Sequence, residues 1–278
     1  MTLRAVDFAY VSGLVHRVSA ISLQPGKEYL VEARLLPVAR DTGLESVPEL
    51  VEELRRREPH GSALHRRVVD AMTTNETSWF RDRTPFEALG SDVIEGLVQR
   101  RRPEGRLRVW SAGCSSGQEP YSISMTVGRR LAEAGLRLEL LATDLSEEML
   151  DRARVGSYSE FEMRRGMPDH LRSRYFTEVG QAWQISEDLR RSVSFGNLNL
   201  ATFFPAMEPM DVVFLRNVLI YFDCDTKARV LDQVGRLLRP DGFLFLGAAE
   251  TTLSIDSRYE RVTVGGTTVY QFRGKAAA

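Results

Sequence analysis

The chain has 278 residues, 43% of them hydrophobic and 27% charged, which is typical of a globular protein with one or two domains. Its formal net charge of −1 provides no field that would attract nucleic acid or an anionic membrane. No apolar run approaches the roughly 20 residues of a membrane span, and polar residues interrupt the N-terminus where a signal peptide would be apolar. Two cysteines and four scattered histidines form neither a disulfide framework nor a metal-binding pattern. We expect a cytoplasmic, monomeric, metal-free protein that neither inserts into membranes nor binds nucleic acid.

Helical patterning without a convincing strand covers the first 70 residues. Apolar residues recur at spacings of three and four in three stretches, around 8–18, 30–36 and 47–54. Pro37 follows the second stretch, where we expect it to end the helix, and Pro59 and Gly61 follow the third. The pattern predicts a small all-α N-terminal domain over residues 1–70, and residues 71–84 then form a linker.

From about residue 85 the pattern alternates between helix and strand, as in α/β domains. The predicted elements in chain order are helix 85–100, strand 107–111, helix 120–134, strand 138–143, a helix capped by Ser146, strands 193–195 and 211–215, helix 226–238, and strands 243–247, 259–264 and 267–272. Pro240-Asp241-Gly242 predicts a turn, and Gly265-Gly266 predicts a two-residue hairpin. Residues 160–192 are long, charged and irregular, and we interpret them as a small inserted subdomain, with a plain long connection as the alternative. A parallel sheet ending in an antiparallel hairpin is the layout of Rossmann-like methyltransferases that use S-adenosylmethionine (SAM), so residues 85–278 are predicted to form such a domain.

The segment SAGCSSGQEPYSISM connects the first predicted strand to the following helix. Gly113 and Gly117 would let backbone N–H groups at the helix N-terminus approach a ligand. Their spacing is not the G-x-G-x-x-G of a pyrophosphate site, which favours a nucleoside ligand without phosphates, and SAM is the commonest of these. A turn that binds nothing is one alternative. A second is the nucleophile elbow G-x-S-x-G with Ser115 as nucleophile, but the one histidine that follows, His170, precedes several further strand candidates.

Polar residues also follow two later strands, at the strand ends where α/β proteins bind ligands. A carboxylate at Asp144 would accept hydrogen bonds from both ribose hydroxyls, or would simply cap the next helix. Arg216 and Asn217 follow an apolar strand, and no acid stands next to Arg216 in the sequence. These observations favour a ligand role for Arg216, with structural pairing elsewhere in the fold as the alternative.

The linker carries a dense run of residues that favour turns and caps, TTNETSWFRD. We expect Trp79 and Phe80 to anchor this segment in the core. That arrangement would leave Asn75, Thr77 and Arg81 free to line a cleft between the domains.

Five motifs in order, TTNETSWFRD, SAGCSSGQEPYSISM, LATDLSEEMLDRARVGSY, FLRNVLIYF and LRPDGFLFLGAAET, resemble the CheR family of chemoreceptor glutamate methyltransferases. The resemblance extends from about Asp7 to Phe272. It implies SAM as cofactor, S-adenosylhomocysteine as product, and glutamate side chains of chemoreceptor cytoplasmic helices as acceptors, which become glutamyl methyl esters during sensory adaptation. By motif position it implies catalytic residues at Arg81 and Tyr221. The cofactor contacts that it implies are Asn75, Thr77, Arg81, Gly113, Glu119, Asp144, Asn199, Leu200, Arg216 and Asn217.

The chemistry of this reaction agrees with the residues present. A glutamate carboxylate is ionised at pH 7 and can attack a sulfonium methyl without a general base. The enzyme has to hold oxygen, carbon and sulfur in line and exclude water, which can contribute roughly 7–11 kcal/mol. Arg81 or Tyr221 would orient the acceptor carboxylate, although Arg81 could equally bind the carboxylate of SAM. Two other functions stay open: a SAM-binding adaptor without activity, and a methyltransferase for a small molecule or RNA.

Two further expectations follow from the resemblance. The insert between Tyr175-Phe176 and Val193 is a few residues shorter than in family members that bind a tethering peptide, so we expect a chemoreceptor partner without a C-terminal pentapeptide tether. Lys27 and Arg34, seven apart on a predicted helix, resemble the basic face that meets acidic receptor helices.

Overall fold

The structure, a computed structural model, describes residues 3–57 and 62–274. Pro59 and Gly61, which sequence analysis placed after the third helix, lie outside the described residues, as do the last four residues of the chain. The described residues form two compact units. The first unit contains the residues up to Thr74 together with Tyr221–Thr226, and the second contains Asn75–Ile220 together with the residues from Lys227 onward.

Within the described residues, the first unit has four helices that bury one apolar face each. They are α1 (Ala5–Ser19), α2 (Glu28–Asp41), α3 (Val47–Arg56) and α4 (Ala63–Met72). The prediction of an all-α N-terminal domain is confirmed. Sequence analysis overlooked α4, although Leu64, Val68 and Met72 recur every fourth residue and are buried. Ser62 begins this helix by accepting a hydrogen bond from the His65 amide.

Two predictions about α2 were wrong. Pro37 lies inside the helix, which continues to Asp41, because buried Leu35 and Val38 hold the turns on both sides of the proline against the core. Lys27 is the residue before the helix rather than part of it. Arg34 is not a free basic group, since its guanidinium donates to the carbonyl groups at the end of α4 and in the residue after it, each at 2.9 Å.

The segment Tyr221–Thr226 belongs to the first unit despite its distance along the chain. Its backbone pairs with the residues after α1, where the Ser22 amide donates to the Tyr221 carbonyl at 3.0 Å. Asp223 accepts from the Thr226 amide and lies 3.1 Å from the His16 ring. These hydrogen bonds lower the pKa of Asp223 to about 2.

The second unit has a mixed sheet of seven strands within the described part of the chain. The strands of the whole unit are β1 (Arg106–Ala112), β2 (Arg137–Asp144), β3 (Ser157–Ser159), β4 (Phe176–Val179), β5 (Ala182–Ile185), β6 (Val193–Asn197), β7 (Met210–Leu215), β8 (Leu238–Leu246), β9 (Tyr259–Val264) and β10 (Thr267–Phe272). The large sheet has the order β6-β2-β1-β7-β8-β10-β9, and its first five strands are parallel. The last two are antiparallel and joined at Gly265-Gly266, as predicted. The predicted fold class is confirmed.

Helices pack against this sheet and enclose its apolar core. The helices of this part of the chain are α5 (Thr84–Ala88), a π-helical turn (Leu89–Val93), α6 (Ile94–Arg101), α7 (Gln118–Glu133), α8 (Glu147–Val155), α9 (Glu160–Arg164), α10 (Asp169–Tyr175), α11 (Glu187–Arg191) and α12 (Cys224–Leu237), of which α9 and α10 pack against the smaller sheet described below. The strand residues Val109, Val212 and Phe214 belong with Ile123 of α7 to one continuous core. Their burial fixes the orientation of the strands and therefore the position of the loops that follow them.

The insert predicted over residues 160–192 corresponds to a segment of the structure that begins at Ser157, three residues earlier. Strands β3, β5 and β4 make a separate antiparallel sheet of three strands, with short helices around it. Trp79 of the linker packs edge-on against Tyr158 and Phe176, with ring centroids 4.8 and 5.3 Å apart. Trp79 is 1% exposed, which confirms it as a core anchor, and the half-buried Phe80 packs against the same core.

The predicted turn at Pro240-Asp241-Gly242 was wrong, because these residues lie inside β8. The pairing of β7 with β8 shifts register there. Asp241 is held by Arg100 and Arg101 of α6, and a side chain at Gly242 would meet the Asp211 carbonyl at 3.0 Å. The three residues therefore form an irregular strand segment and not a turn, because long-range contacts hold them in place.

Candidate active site at the carboxyl end of the parallel sheet

The carboxyl ends of the parallel strands lie side by side in the order β6-β2-β1-β7-β8. The chain runs outward from β1 through β2 to β6 and then returns to β7 on the other side of β1. Open α/β sheets bind ligands at such a switch point, because the loops leave it in opposite directions. The loops after β1 and β7 therefore flank the candidate site.

The glycine loop after β1 needs both of its glycines. Gly113 has φ +81° and donates its amide to the Thr143 carbonyl at 2.7 Å, while a side chain there would lie 2.5 Å from Val218. Gly117 has φ +95°, and a side chain there would lie 2.9 Å from Ala153. Gly117 also precedes α7, whose N-terminus has no side-chain cap. The first-turn amides of α7 are thus available to an acceptor group on a ligand.

Ser115 and Cys114 of this loop are structural rather than nucleophilic. The Ser115 hydroxyl donates to the Asn75 carbonyl at 2.9 Å, which ties the linker to the loop. Burial raises the pKa of the Cys114 thiol well above its ordinary value, and the nearby Asp144 carboxylate raises it further. The loop therefore offers a ligand its backbone groups, and the Ser115 side chain holds the linker in place.

Asp144 ends β2 and presents a buried carboxylate to the site. Its two oxygens accept from the amides of Ser115 at 2.7 Å and Ser146 at 3.0 Å. Burial raises its pKa, although these amides act in the opposite direction. The alternative of a plain helix cap was wrong, since Ser146 caps α8 by accepting from the Met149 amide. A carboxylate fixed at a strand end, with lone pairs remaining, suits a pair of ribose hydroxyls.

Asn199 and Leu200 lie on the segment that starts beside Asp144 at the sheet edge, where Asn197 pairs with Asp144. They follow β6, and the Leu198 amide donates to the Asp144 carbonyl at 3.0 Å. The Asn199 side-chain oxygen accepts from the Ala201 amide at 2.9 Å, and Leu200 is buried. The predicted adenine-side pair therefore follows, within two residues, a backbone hydrogen bond to the predicted ribose partner.

Arg216 has acidic partners, contrary to the sequence-based expectation. Its guanidinium donates to Glu119 at 3.0 Å, to Asp82 at 2.6 Å and to the Arg81 carbonyl at 2.8 Å, and its side chain is 1% exposed. Glu119 also accepts from the Ser111 hydroxyl at 2.8 Å. Burial raises the pKa of Glu119, and the Arg216 charge opposes this rise. Arg216 thus joins β7, α7 and the linker through ion pairs and a backbone hydrogen bond.

The linker backbone around Arg81 is unusual. Phe80, Asp82 and Arg83 have φ values of +46°, +66° and +53°, a region that side-chain-bearing residues seldom adopt. Such conformations persist only where the surroundings impose them, and they cluster at functional sites. The half-buried Arg81 side chain donates to the Glu76 carbonyl at 2.9 Å, and Thr77, the residue after Glu76, is also half-buried.

The other predicted site residues are placed as follows. Asn217 is half-buried directly after Arg216, with φ +60°. Tyr221 ends a 3₁₀ turn over Leu219–Tyr221 and belongs to the first unit. No group of residues suited to hold a metal ion occurs in the described parts of the chain. Sequence analysis assigned no role to Glu250, although the rule that selected Asp144, polar groups after a parallel strand, also applies to the segment after β8.

A doubly wound sheet, an uncapped helix after a glycine loop and a carboxylate at the next strand define a nucleoside site of the SAM-dependent methyltransferase class. Two family models match the chain: "CheR methyltransferase, SAM binding domain" over residues 75–267 and "CheR methyltransferase, all-alpha domain" over residues 6–73. The chain belongs to the CheR methyltransferase family, and its cofactor is SAM.

Two relatives illustrate the similarity. Chemotaxis protein methyltransferase Cher2 of Pseudomonas putida is 39% identical, covering 96% of this chain and 98% of that protein. Chemotaxis protein methyltransferase 1 of Pseudomonas aeruginosa is 37% identical, covering 98% and 99%. Among the described residues, no helix has the length and apolar character required to cross a membrane.

Asp144→Asn is expected to weaken binding of S-adenosylhomocysteine by roughly 10- to 100-fold. Hydrogen bonds to a charged acceptor contribute about 1.5–3 kcal/mol, and each 1.4 kcal/mol is a factor of ten. Isothermal titration calorimetry measures the change. Asp169→Asn, whose side chain is 88% exposed, is the matched control and should bind normally. Unchanged affinity in the Asp144 variant would contradict the ribose assignment.

Proposed function

We propose that the protein transfers the methyl group of SAM to glutamate carboxylates on the cytoplasmic helices of chemoreceptors, giving glutamyl methyl esters for sensory adaptation. The observation that carries this proposal is the match of both CheR models, over 6–73 and 75–267, to a chain with the site described above. Relatives at 37–39% identity are named chemotaxis protein methyltransferases. The proposal places the enzyme in the cytoplasm and needs no second copy of the chain.

SAM supplies a methyl group on a positively charged sulfur. We propose that Asp144 holds the ribose, that Asn199 and Leu200 flank the adenine, and that Asn75, Thr77, Gly113 and Asn217 contact the rest of the cofactor. We propose that linker residues 71–84 contribute to this site. The hydrogen bond from the Ser115 hydroxyl to the Asn75 carbonyl supports this, because it ties the linker to the glycine loop. We propose that Glu119 and Arg216 act on the cofactor site together, as a buried pair.

Arg81 and Tyr221 are proposed to act at the transferred methyl. The acceptor is already an anion at pH 7, so the chain has to orient it and exclude water rather than remove a proton. A guanidinium that is partly engaged with a backbone carbonyl, as Arg81 is with Glu76, can direct a carboxylate without forming a complete ion pair. This limits the loss of nucleophilicity that a tight ion pair would cause.

Incubation with methyl-labelled SAM and purified receptor cytoplasmic fragments tests the proposal. We expect the label to be attached to the receptor after the incubation. Mild base should then release it as methanol, because esters are base-labile. Binding of SAM without transfer would instead identify an adaptor. Turnover on a small molecule or RNA, with an unlabelled receptor, would identify a different methyltransferase.

We propose that receptor recognition does not require a C-terminal pentapeptide tether. A receptor fragment truncated by its last five residues should be methylated at the rate of the intact fragment, because the shortened insert is not expected to grip the peptide. Calorimetry with the isolated pentapeptide should show no binding. Tight binding, or a large loss of rate on truncation, would overturn this prediction.

A further inference from the structure

Glu250, in the connection between β8 and β9, accepts hydrogen bonds from four backbone amides. One carboxylate oxygen accepts from Asn217 and Gly247, each at 2.7 Å. The other accepts from Val218 at 2.9 Å and Ile220 at 3.3 Å. Three of these donors belong to the loop after β7, so the side chain holds the backbone of a neighbouring loop. We call this arrangement the Glu250 clamp.

The clamp fixes a loop that lies against the glycine loop. Val218 fills the space that a side chain at Gly113 would occupy, since a Cβ there would lie 2.5 Å from the Val218 methyl. Asn217 is held at φ +60°, a left-handed conformation that surrounding bonds must stabilise. The clamp therefore sets the separation of the two loops that flank the switch point.

Gly247 shows how closely the clamp is packed. A Cβ atom at this position would lie 2.6 Å from the side-chain nitrogen of Asn217 and 2.7 Å from the Glu250 carboxylate. Contacts of that length require the neighbours to move. The absence of a Cβ at Gly247 is therefore a condition for the clamp to form.

We propose that Glu250 is a positioning residue for methyl transfer. Its carboxylate fixes Asn217 and Val218 at the edge of the cofactor site, and it also accepts a hydrogen bond from the Ile220 amide. It touches neither the reacting carbon nor the acceptor in this role. The inference rests on the proposed function for its activity measurement, but cofactor binding and amide exchange test it independently.

The four donors make a carboxylate necessary. Glu250→Gln replaces one acceptor oxygen by an NH₂ group, which would face amide donors and break two of the four hydrogen bonds. Gly247→Ala disturbs the same clamp by adding a Cβ atom against Asn217 and Glu250, without changing any charge. The matched control is Asp256→Asn, because Asp256 is a buried carboxylate of the same connection that accepts its hydrogen bonds from Arg258.

Three measurements on the purified full chain test the proposal: hydrogen exchange of the peptide covering 216–221, S-adenosylhomocysteine affinity, and kcat and KM for SAM. In both Glu250→Gln and Gly247→Ala we expect faster exchange of this peptide and at least a tenfold loss in cofactor affinity or kcat. Asp256→Asn should lower the melting temperature while leaving exchange of that peptide and cofactor affinity at wild-type values.

Wild-type affinity and kcat in both clamp variants would overturn the proposal. So would equal losses in Asp256→Asn, because the effect would then follow stability rather than position. If the wild-type protein binds S-adenosylhomocysteine but does not label a receptor, the proposed function fails, whereas the exchange and affinity measurements still decide the role of Glu250.

Discussion

Arg81→Ala is expected to lower kcat/KM for receptor methylation by about a hundredfold or more. Removing a single preorganised donor from a reacting group typically lowers kcat by 10²–10³. Arg81 is preorganised here, because the residues on both sides of it are held in left-handed backbone conformations and its guanidinium donates to the Glu76 carbonyl. Transfer of labelled methyl groups to receptor fragments measures the loss, and near-normal labelling would reject a role for Arg81.

The control for this experiment is Arg83→Ala. Arg83 lies in the same linker, its side chain is 84% exposed, and its contact with Glu87 is 4.0 Å long. Exposed pairs of this kind contribute little, so this variant should retain wild-type activity. The comparison separates a specific role of Arg81 from a general effect of positive charge in the linker.

Cofactor affinity distinguishes the two roles left open for Arg81. If it orients the acceptor carboxylate, Arg81→Ala keeps wild-type affinity for S-adenosylhomocysteine and loses kcat. If it binds the carboxylate of the cofactor, affinity falls together with kcat/KM. Arg81→Lys should recover only part of the activity in either case, because an ammonium lacks the planar pair of donors.

The sequence predicted the order of the sheet elements well, because strand and helix periodicities are local properties. The Gly265-Gly266 hairpin falls where it was predicted. The errors occur where distant contacts override local signals. Pro37 would end an isolated helix, but the buried residues around it keep α2 intact. Pro240-Asp241-Gly242 would form a turn, but Arg100 and Arg101 hold it within β8.

In the candidate site, too, local sequence signals were predictive and long-range contacts were not. A rule based on strand ends selected Gly113, Asp144 and Asn217, and all three lie at the carboxyl edge of the parallel sheet. The partners of Arg216 could not be found in this way, since Glu119 and Asp82 lie 97 and 134 residues away in the sequence. Hydrogen-bond partners across the fold are set by tertiary packing, which a single sequence does not display.

The buried Arg216 makes a second strong prediction: Arg216→Met should lower the free energy of unfolding by about 3–5 kcal/mol. The variant leaves Glu119, whose side chain is 12% exposed, without the charge that compensates its burial. Asp82 is less affected, because its side chain is 38% exposed and water can solvate it. Denaturant unfolding at neutral pH measures the change.

The loss should depend on pH in a defined direction. Burial already raises the pKa of Glu119, and removal of Arg216 removes the main influence that lowers it. A carboxyl group whose pKa is higher in the folded than in the unfolded state binds a proton more tightly when folded. The free energy of unfolding therefore falls as the pH rises from the unfolded-state pKa, near 4.3, through the folded-state pKa. The deficit of Arg216→Met relative to wild type should therefore be smaller at pH 5 than at pH 8.

Combining Arg216→Met with Glu119→Gln completes the test, because the double variant contains neither charge. Part of the lost stability should return, giving a coupling energy between the two sites, and the effect of Arg216→Met measured in the Glu119→Gln background should no longer depend on pH. A double variant that is as unstable as the sum of the single variants would show that the two residues act independently. In that case the link from β7 through α7 to the linker would not depend on their ion pair.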